Sequence, residues 1–193
     1  MDSKEAIIQS TIELINEKGD RLDEITVREI CKRSGVGLGL VNYHFGNKET
    51  LVEFCVERMI NGIVDRFQKM REEAGQLTPF EKLEYLGNLT LNFLFEHEAV
   101  SRISILTDMR TPREGDNTNR TCLAYLPLVS ACRPDWDEET ARRKTLCLIT
   151  VMQQLFLRRE AVSSILGVDL SSERARSELH TKILRDILEG GTA

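Results

Sequence analysis

The most restrictive feature of this sequence is a pair of very short helical patterns near its N-terminal end. Thr26 and Glu29 form a capping box, and Gly35 ends the helix that they open after barely two turns. A second short helix is predicted over Leu38–Phe45, with Gly46 as its C-terminal stop. Because helices of about two turns are not stable alone in water, both must pack against neighbouring helices. The segment therefore predicts a small helical bundle.

A longer helix is predicted on each side of this pair. Asp2 and Glu5 form a possible capping box for the first helix, which Gly19 ends. Asn47 is the predicted N-cap of a fourth helix that runs to about Ala74. The apolar side chains of the two short helices are expected to pack against the first helix: Val27, Ile30, Cys31, Val36, Val41 and Phe45 against Ile8, Ile12 and Ile15.

The rest of the chain also has helical periodicity, without a convincing run of strand-like alternation, so the predicted class is all-α with about nine helices. Thr78-Pro79 with Glu81 is a strong helix start, and the polar segment 111–119 has the composition of a loop. The other predicted bounds are a helix end near Arg110 and helices at about Thr121–Cys132, Asp137–Glu160 and Ser171–Leu188.

Charge restricts where this chain can meet a nucleic acid. Its 193 residues hold 26 Lys+Arg and 31 Asp+Glu, a formal net charge of -5, so overall charge does not attract DNA. Between residues 26 and 48 the balance reverses: four basic residues against the single acid Glu29 give +3. The four basic residues are Arg28, Lys32, Arg33 and Lys48.

Two short helices joined by a glycine-bearing turn are the arrangement that places a recognition helix in the DNA major groove. Tyr43 and Phe45 lie two positions apart on the third helix, so both cannot face inward equally, and we expect Phe45 in the core and Tyr43 outside. The outer face of this helix then carries Gly37, Leu38, Gly39, Asn42 and Tyr43. The unpaired amides near Thr26 and Asn47 favour phosphate nearby.

The segment from Thr26 to Leu51 resembles the DNA-binding segment of the TetR family of transcriptional repressors. The likeness spans about residues 4–60 and rests on the fixed spacing of the helix start, Tyr43-His44-Phe45 and Asn47-Lys48. Farther along the chain it is architectural only: a variable all-α ligand domain whose last two long helices usually dimerise. The resemblance thus implies a helix-turn-helix DNA-binding domain at residues 1–50 and a ligand-binding and dimerisation domain at residues 51–193.

Carried over by position, the resemblance implies phosphate contacts for four residues and base contacts for another group. Thr26 and Lys48 would bind phosphates at helix N-termini, with Tyr43 and His44 also touching the DNA backbone. The positions implied to lie near bases are Arg28, Leu38, Gly39, Leu40 and Asn42.

The sequence departs from the family pattern at two positions. The family often has serine or threonine where Gly37 stands, and a polar side chain where Leu38 stands. Our hypothesis is that Leu38 contacts a thymine methyl group and Asn42 binds an adenine edge. Leu38→Ala should then alter base preference more than total affinity.

Apolar residues in the C-terminal part could line a ligand cavity, or could fill the core. The candidates are Tyr85, Leu89, Phe93, Met109, Tyr125, Met152 and Phe156. Arg110 and His97 are possible polar anchors, with surface exposure as the alternative. The last two long helices carry apolar stripes that favour a symmetric four-helix dimer interface, namely Leu146, Ile149, Met152, Gln153 and Phe156, and Leu179, Ile183, Leu184, Ile187 and Leu188.

The predicted function is a dimeric transcriptional repressor that a small-molecule ligand releases from a palindromic operator. One alternative is an enzyme with an all-α catalytic domain, but the sequence has neither a zinc-protease motif nor a nucleophile elbow. Another is a protein-interaction module whose helix-turn-helix is only architectural. The glycines at 35–39 do not form a dinucleotide fingerprint, since Leu40 replaces its third glycine. No cofactor or metal is expected.

Cysteine usage and the lack of targeting signals predict a cytoplasmic protein. The five cysteines include no Cys-x-x-Cys pair, so small buried hydrophobic residues in a reducing compartment are expected at Cys31, Cys55, Cys122, Cys132 and Cys147. The N-terminus lacks the pattern of a secretory signal, and no apolar run approaches the roughly 20 residues of a membrane span.

Overall fold

The computed structural model describes residues 2–19, 21, 24–73 and 76–189. Over residues 61–73 it describes the helical backbone and not the side chains. Within these ranges the chain is all-helical, as predicted, and no strand occurs. The described helices are α1 Ser3–Lys18, α2 Val27–Ser34, α3 Leu38–Phe45, α4 Lys48–Glu73, α5 Pro79–Glu96, α6 Glu98–Arg110, α7 Asn117–Cys132, α8 Glu138–Leu157, α9 Arg159–Leu166 and α10 Glu173–Glu189.

The starts of α2 and α4 are determined by local capping. Thr26 Oγ1 accepts a hydrogen bond from the Glu29 N–H at 3.2 Å, and Asn47 Oδ1 accepts from the Thr50 N–H at 2.8 Å. Gly35 ends α2 with φ 71°, a left-handed conformation that favours glycine. These contacts confirm the predicted start and end of α2 and the predicted start of α4, and α3 spans Leu38–Phe45 as predicted.

Two predicted bounds in the C-terminal part are wrong. Helix α7 begins at Asn117, four residues earlier than predicted, because the Asp116 carboxylate caps it by accepting from the Asn119 N–H at 2.8 Å. The helix predicted over 137–160 ends at Leu157, and α9 follows it. Arg158 separates the two with φ -116° and ψ 28°, and neither proline nor glycine marks the break in the sequence.

The chain folds as two compact units, residues 1–66 with 97–107, and residues 67–96 with 108–193. In the first unit, α3 packs through Val41 and Phe45 onto α1 and α2, as predicted. Each fully buried aliphatic side chain there stabilises the fold by about 1.5–3 kcal/mol. The core of this unit is Ile7, Ile8, Leu14, Ile15, Ile25, Ile30, Val41, Phe45, Leu51, Val52, Cys55, Val56, Ala99 and Val100.

The second unit packs α5, α7, α8 and α10 around one core. Its buried residues are Leu83, Leu91, Tyr125, Val129, Leu148, Ile149, Met152, Leu184 and Leu188. Polar contacts join α5 to α10 beside this core, where Asn92 Oδ1 accepts from Arg176 Nη2 at 3.1 Å and Asn92 Nδ2 donates to Glu173 at 2.7 Å. The predicted boundary near residue 50 separates a DNA-binding domain from a ligand-binding domain. Because it is defined by function, it stays a prediction.

Part of the apolar surface predicted for a dimer interface is core of the chain itself. Five of its ten residues are buried: Ile149, Met152, Phe156, Leu184 and Leu188. Leu146 is 54% exposed, whereas Gln153, Leu179, Ile183 and Ile187 are half-buried. The stripes look broad in the sequence because α8 packs on several helices, α5, α7 and α10, rather than on one.

All five cysteines lie within the described residues and are free thiols. Cys55 is buried, and burial raises its pKa to about 12. Cys31, Cys122 and Cys132 are half-buried, but Cys147 is exposed, so the prediction of burial is wrong for Cys147. No helix in the described part of the chain combines the length and apolar character that crossing a membrane requires.

Candidate nucleic-acid interface

Helix α3 buries one face and leaves the opposite face to solvent. Val41 is fully buried and Phe45 is 8% exposed, and their spacing of four residues places them on the same side of the helix. On the other side Tyr43 is 81% exposed. The predicted orientation of Tyr43 and Phe45 is therefore confirmed. The exposed residues here are Gly37, Leu38, Gly39, Leu40, Asn42 and Tyr43.

His44 is half-buried between its two aromatic neighbours. Its ring centroid lies 5.1 Å from that of Tyr43 in an edge-to-face arrangement, and 6.1 Å from that of Phe45. The imidazole therefore stands at the edge of the exposed surface. Thr26 is exposed at the start of α2, and Lys48 is half-buried in the first turn of α4.

The basic residues of this region are in two different states. Arg33 turns to α1, where its Nη1 and Nη2 donate to the two carboxylate oxygens of Glu17 at 2.6 and 2.8 Å. These hydrogen bonds raise the pKa of Arg33 and lower the pKa of Glu17. The charge of Arg33 is thus paired with a carboxylate of α1. The prediction that counted Arg33 among the cations available to DNA is therefore wrong.

Three other cations, Arg28, Lys32 and Lys48, have no ion pair among the described residues. The one acid counted in this segment, Glu29, lies 3.6 Å from Lys18 Nζ. No acidic side chain of the helix-turn-helix segment therefore pairs with these three positive charges. An arrangement of this kind attracts a polyanion.

Lys4 is a further cation that counting between residues 26 and 48 misses. It is exposed at the start of α1, and its Nζ lies 5.9 Å from the Phe45 ring centroid and 5.7 Å from that of Phe54. The ammonium group therefore stands beside the C-terminal end of α3. Only packing of α1 against α3 brings it there, so sequence proximity gave no signal.

The exposed face of α3 offers chemistry suited to a DNA groove. Asn42 carries both a donor and an acceptor, which is the set that an adenine edge can pair with, and the two leucines can contact methyl groups. Cations beside such a face suit phosphate contacts, which position a protein on the duplex. The glycines at 35–39 follow a helix, α2, and not the strand that a dinucleotide-binding loop needs.

The residues predicted to bind a ligand do not share one environment. Tyr125, Met152 and Phe156 are buried, Leu89 and Phe93 are half-buried, and Tyr85 and Met109 are exposed. The Tyr125 hydroxyl donates to Thr90 Oγ1 at 2.6 Å, and burial raises its pKa. His97 and Arg110, the possible polar anchors, are exposed.

A cleft of about 300 Å³ lies elsewhere in the second unit, at the start of α5 and the ends of α7 and α10. It contains none of the seven residues predicted to bind a ligand. The ligand-binding role of those seven residues therefore remains a prediction.

Residues 7–55 match the family model of the bacterial regulatory proteins of the tetR family. The N-terminal part of the chain is therefore similar to the DNA-binding segment of this family. The match covers most of α1, all of α2 and α3, and the start of α4. It therefore includes the helix α3, whose outer face is exposed, and the helices on which α3 packs. The similarity to the tetR family therefore falls on the same segment as the candidate DNA-binding surface.

Curated relatives match about a third of this chain. The HTH-type transcriptional regulator BetI 1 of Chromohalobacter salexigens is 31% identical over 68 residues, which is 35% of this chain and 33% of the relative. BetI of Stenotrophomonas maltophilia is 28% identical over 72 residues, 37% of this chain and 36% of the relative. The matches thus span about a third of each relative.

Solved structures resemble the chain over nearly its whole length. A TetR-like transcriptional regulator from Rhodococcus sp. has a TM-score of 0.64 at 16% identity, covering 97% of this chain and 96% of its own. A TetR regulator from Haloarcula marismortui reaches 0.61 at 17%, with 98% and 97% covered. FadR of Bacillus subtilis, solved with stearoyl-CoA, reaches 0.56 at 18%, with 97% and 98% covered. At these identities the likeness confirms the predicted fold alone.

Proposed function

We propose that this chain is a sequence-specific DNA-binding transcriptional regulator that acts as a homodimer on a palindromic operator. The observation that carries the proposal is the outward face of α3, whose exposed side chains make no contribution to the core. Unpaired cations of the same segment complement a phosphate backbone. The site residues proposed to contact DNA remain those predicted from the sequence, from Thr26 to Lys48.

Selection from a randomised DNA duplex library, with the full chain as bait, tests the proposal. We expect enrichment of a two-fold symmetric site whose half-sites are about 34 Å, one helical turn, apart. Tyr43→Ala should weaken binding to the enriched site, because its 81% exposed side chain is available to the DNA backbone. Circular dichroism checks that this variant keeps its helices. A folded chain that enriches no site would contradict the proposal.

We also propose that a small molecule bound in the C-terminal unit releases the protein from its operator, so that it acts as a repressor. Support comes from the family and from a fold neighbour whose structure contains stearoyl-CoA. At 18% identity that neighbour does not identify the effector of this chain. If a ligand weakens DNA binding, DNA must weaken ligand binding by the same factor.

Native mass spectrometry of the protein as purified, followed by calorimetric titration with the operator, tests the effector proposal. We expect a co-purified molecule whose addition lowers operator affinity. Equal operator affinity with and without every molecule that binds would refute ligand release and leave the DNA-binding proposal intact.

A further inference from the structure

The fold does not require glycine at two positions at the start of α3, Gly37 and Gly39. A Cβ built on Gly39 meets no atom within 4 Å, and the same holds for Gly37. Gly37 has φ -76° and Gly39 also lies outside the positive-φ region, so any residue can adopt their backbone conformations. Since glycine inside a helix is less stable than alanine, Gly39 costs the fold stability without a contact to explain it.

The position of Gly39 on the helix suggests what its missing side chain is for. Gly39 precedes Tyr43, whose side chain is 81% exposed, by four positions and therefore shares its outward face. Leu38 and Leu40 are about 200° apart around the helix axis, on the two flanks of Gly39. They are 54% and 39% exposed. We call this surface, two leucines with bare backbone between them, the Leu38–Leu40 saddle.

The charges of the same segment indicate the occupant of the saddle. Arg28, Lys32 and Lys48 are unpaired within the described residues, which favours a polyanion over an apolar protein surface. Leucine has neither donor nor acceptor, so it cannot read the hydrogen-bonding pattern of a base. The apolar feature of the major groove is the 5-methyl group of thymine.

We infer that Leu38 and Leu40 recognise thymine methyl groups in the operator, and that Gly39 allows the helix backbone to approach the base edges between them. The inference extends the sequence-based hypothesis for Leu38 and rests on the proposed DNA-binding function. Specificity at these positions then depends on a methyl group and on close approach, and not on hydrogen bonds to the two side chains.

Deoxyuridine substitution tests the methyl contact directly, because it removes the thymine methyl and keeps every hydrogen-bonding group. In the selected site, each thymine is replaced in turn and affinity is measured by fluorescence anisotropy. We expect a loss of about fourfold for each methyl buried against a leucine. Leu38→Ala and Leu40→Ala should each abolish the discrimination at one position. Leu166→Ala, which truncates a 49% exposed leucine of α9, should retain it.

Gly39→Ala tests close approach. Because the new Cβ meets nothing in the protein, this variant should melt at a higher temperature than the parent chain, yet bind the operator at least tenfold more weakly. If Gly39→Ala bound the operator as tightly as the parent chain does, the role of Gly39 would be refuted. A selected site in which deoxyuridine has no effect at any thymine, or half-sites without thymine, would overturn the role of the leucines. Failure to select any site would instead refute the proposed function itself.

Discussion

Lys48 and Arg33 carry the same charge in different surroundings. Lys48 has no ion pair among the described residues, whereas Arg33 makes two hydrogen bonds to Glu17. A cation that stays unpaired can exchange its counterions for a DNA phosphate, while a cation held by a carboxylate has less to offer. The two residues therefore form a matched pair for testing phosphate contact.

Lys48→Gln should lower operator affinity and reduce the slope of log affinity against log salt by about 1, because one phosphate contact is lost. Arg33→Gln removes an equal charge and should leave that slope unchanged. Titrations of both variants at several salt concentrations provide the measurement. Equal changes of slope for the two variants would mean that only net charge matters and would contradict the contact.

His180 is a buried imidazole whose protonation state should affect stability. It is fully buried, both ring nitrogens lack a hydrogen-bond partner, and burial lowers its pKa from 6.5 to about 4. Between these pH values the unfolded chain takes up a proton that the folded chain does not. The free energy of unfolding should therefore fall as the pH falls from about 6.5 to about 4, by at most about 3 kcal/mol from this residue.

Urea denaturation at several pH values measures this contribution. His180→Leu should flatten the pH dependence in that range, since the variant has no imidazole to protonate. The same substitution at the exposed His97 is the control and should preserve the slope. A His180→Leu variant with the full pH dependence of the parent chain would assign that dependence to other groups.

At the scale of the elements, α5 and α10 pack so closely that one position must be glycine. A Cβ on Gly87 would lie 1.9 Å from Cε1 and 2.2 Å from Nε2 of His180. The ring is buried, so it cannot turn away into solvent. Gly87 thus sets the distance between the two helices, in contrast to Gly39, whose surroundings are open.

Gly87→Ala should destabilise the protein by about 1–3 kcal/mol, because the added methyl group forces α5 and α10 apart or distorts His180. Gly39→Ala is the matched control and should stabilise it by about 0.5–1 kcal/mol. Chemical denaturation of both variants gives the two values. If Gly87→Ala were neutral, α5 and α10 could not be in the contact described here.

At the scale of the whole molecule, the proposed mechanism depends on two recognition helices acting together. A single α3 exposes only a few side chains for base contacts, so one half-site alone should bind weakly. Linking two half-sites through a homodimer makes the second contact intramolecular and raises the affinity without any new kind of contact.

The full palindrome should therefore bind the protein about 10² to 10⁴ times more tightly than a duplex with one intact half-site. Anisotropy titrations of the two duplexes give this ratio, and sedimentation analysis gives the stoichiometry of the complexes. A monomer that binds both duplexes with the same affinity would rule out the dimeric mechanism.

The sequence by itself determined the all-helical class, the starts of α2 and α4, and the outward orientation of Tyr43. Caps and helical periodicity are local, since Thr26 and Asn47 act within about four residues, and residues spaced by three or four positions share a face. The helix-turn-helix arrangement of α2 and α3 follows from the same local signals, because two helices this short must pack against neighbouring helices to be stable.

The tertiary structure alone decided which partners meet across long stretches of chain. Arg33 finds Glu17, Lys4 reaches the end of α3, and His180 lies against Gly87. It also decided that half of the apolar surface assigned to a dimer interface belongs to the core of the second unit. A helical pattern shows which residues seek burial, but the element that buries them is fixed only by the packing of the complete chain.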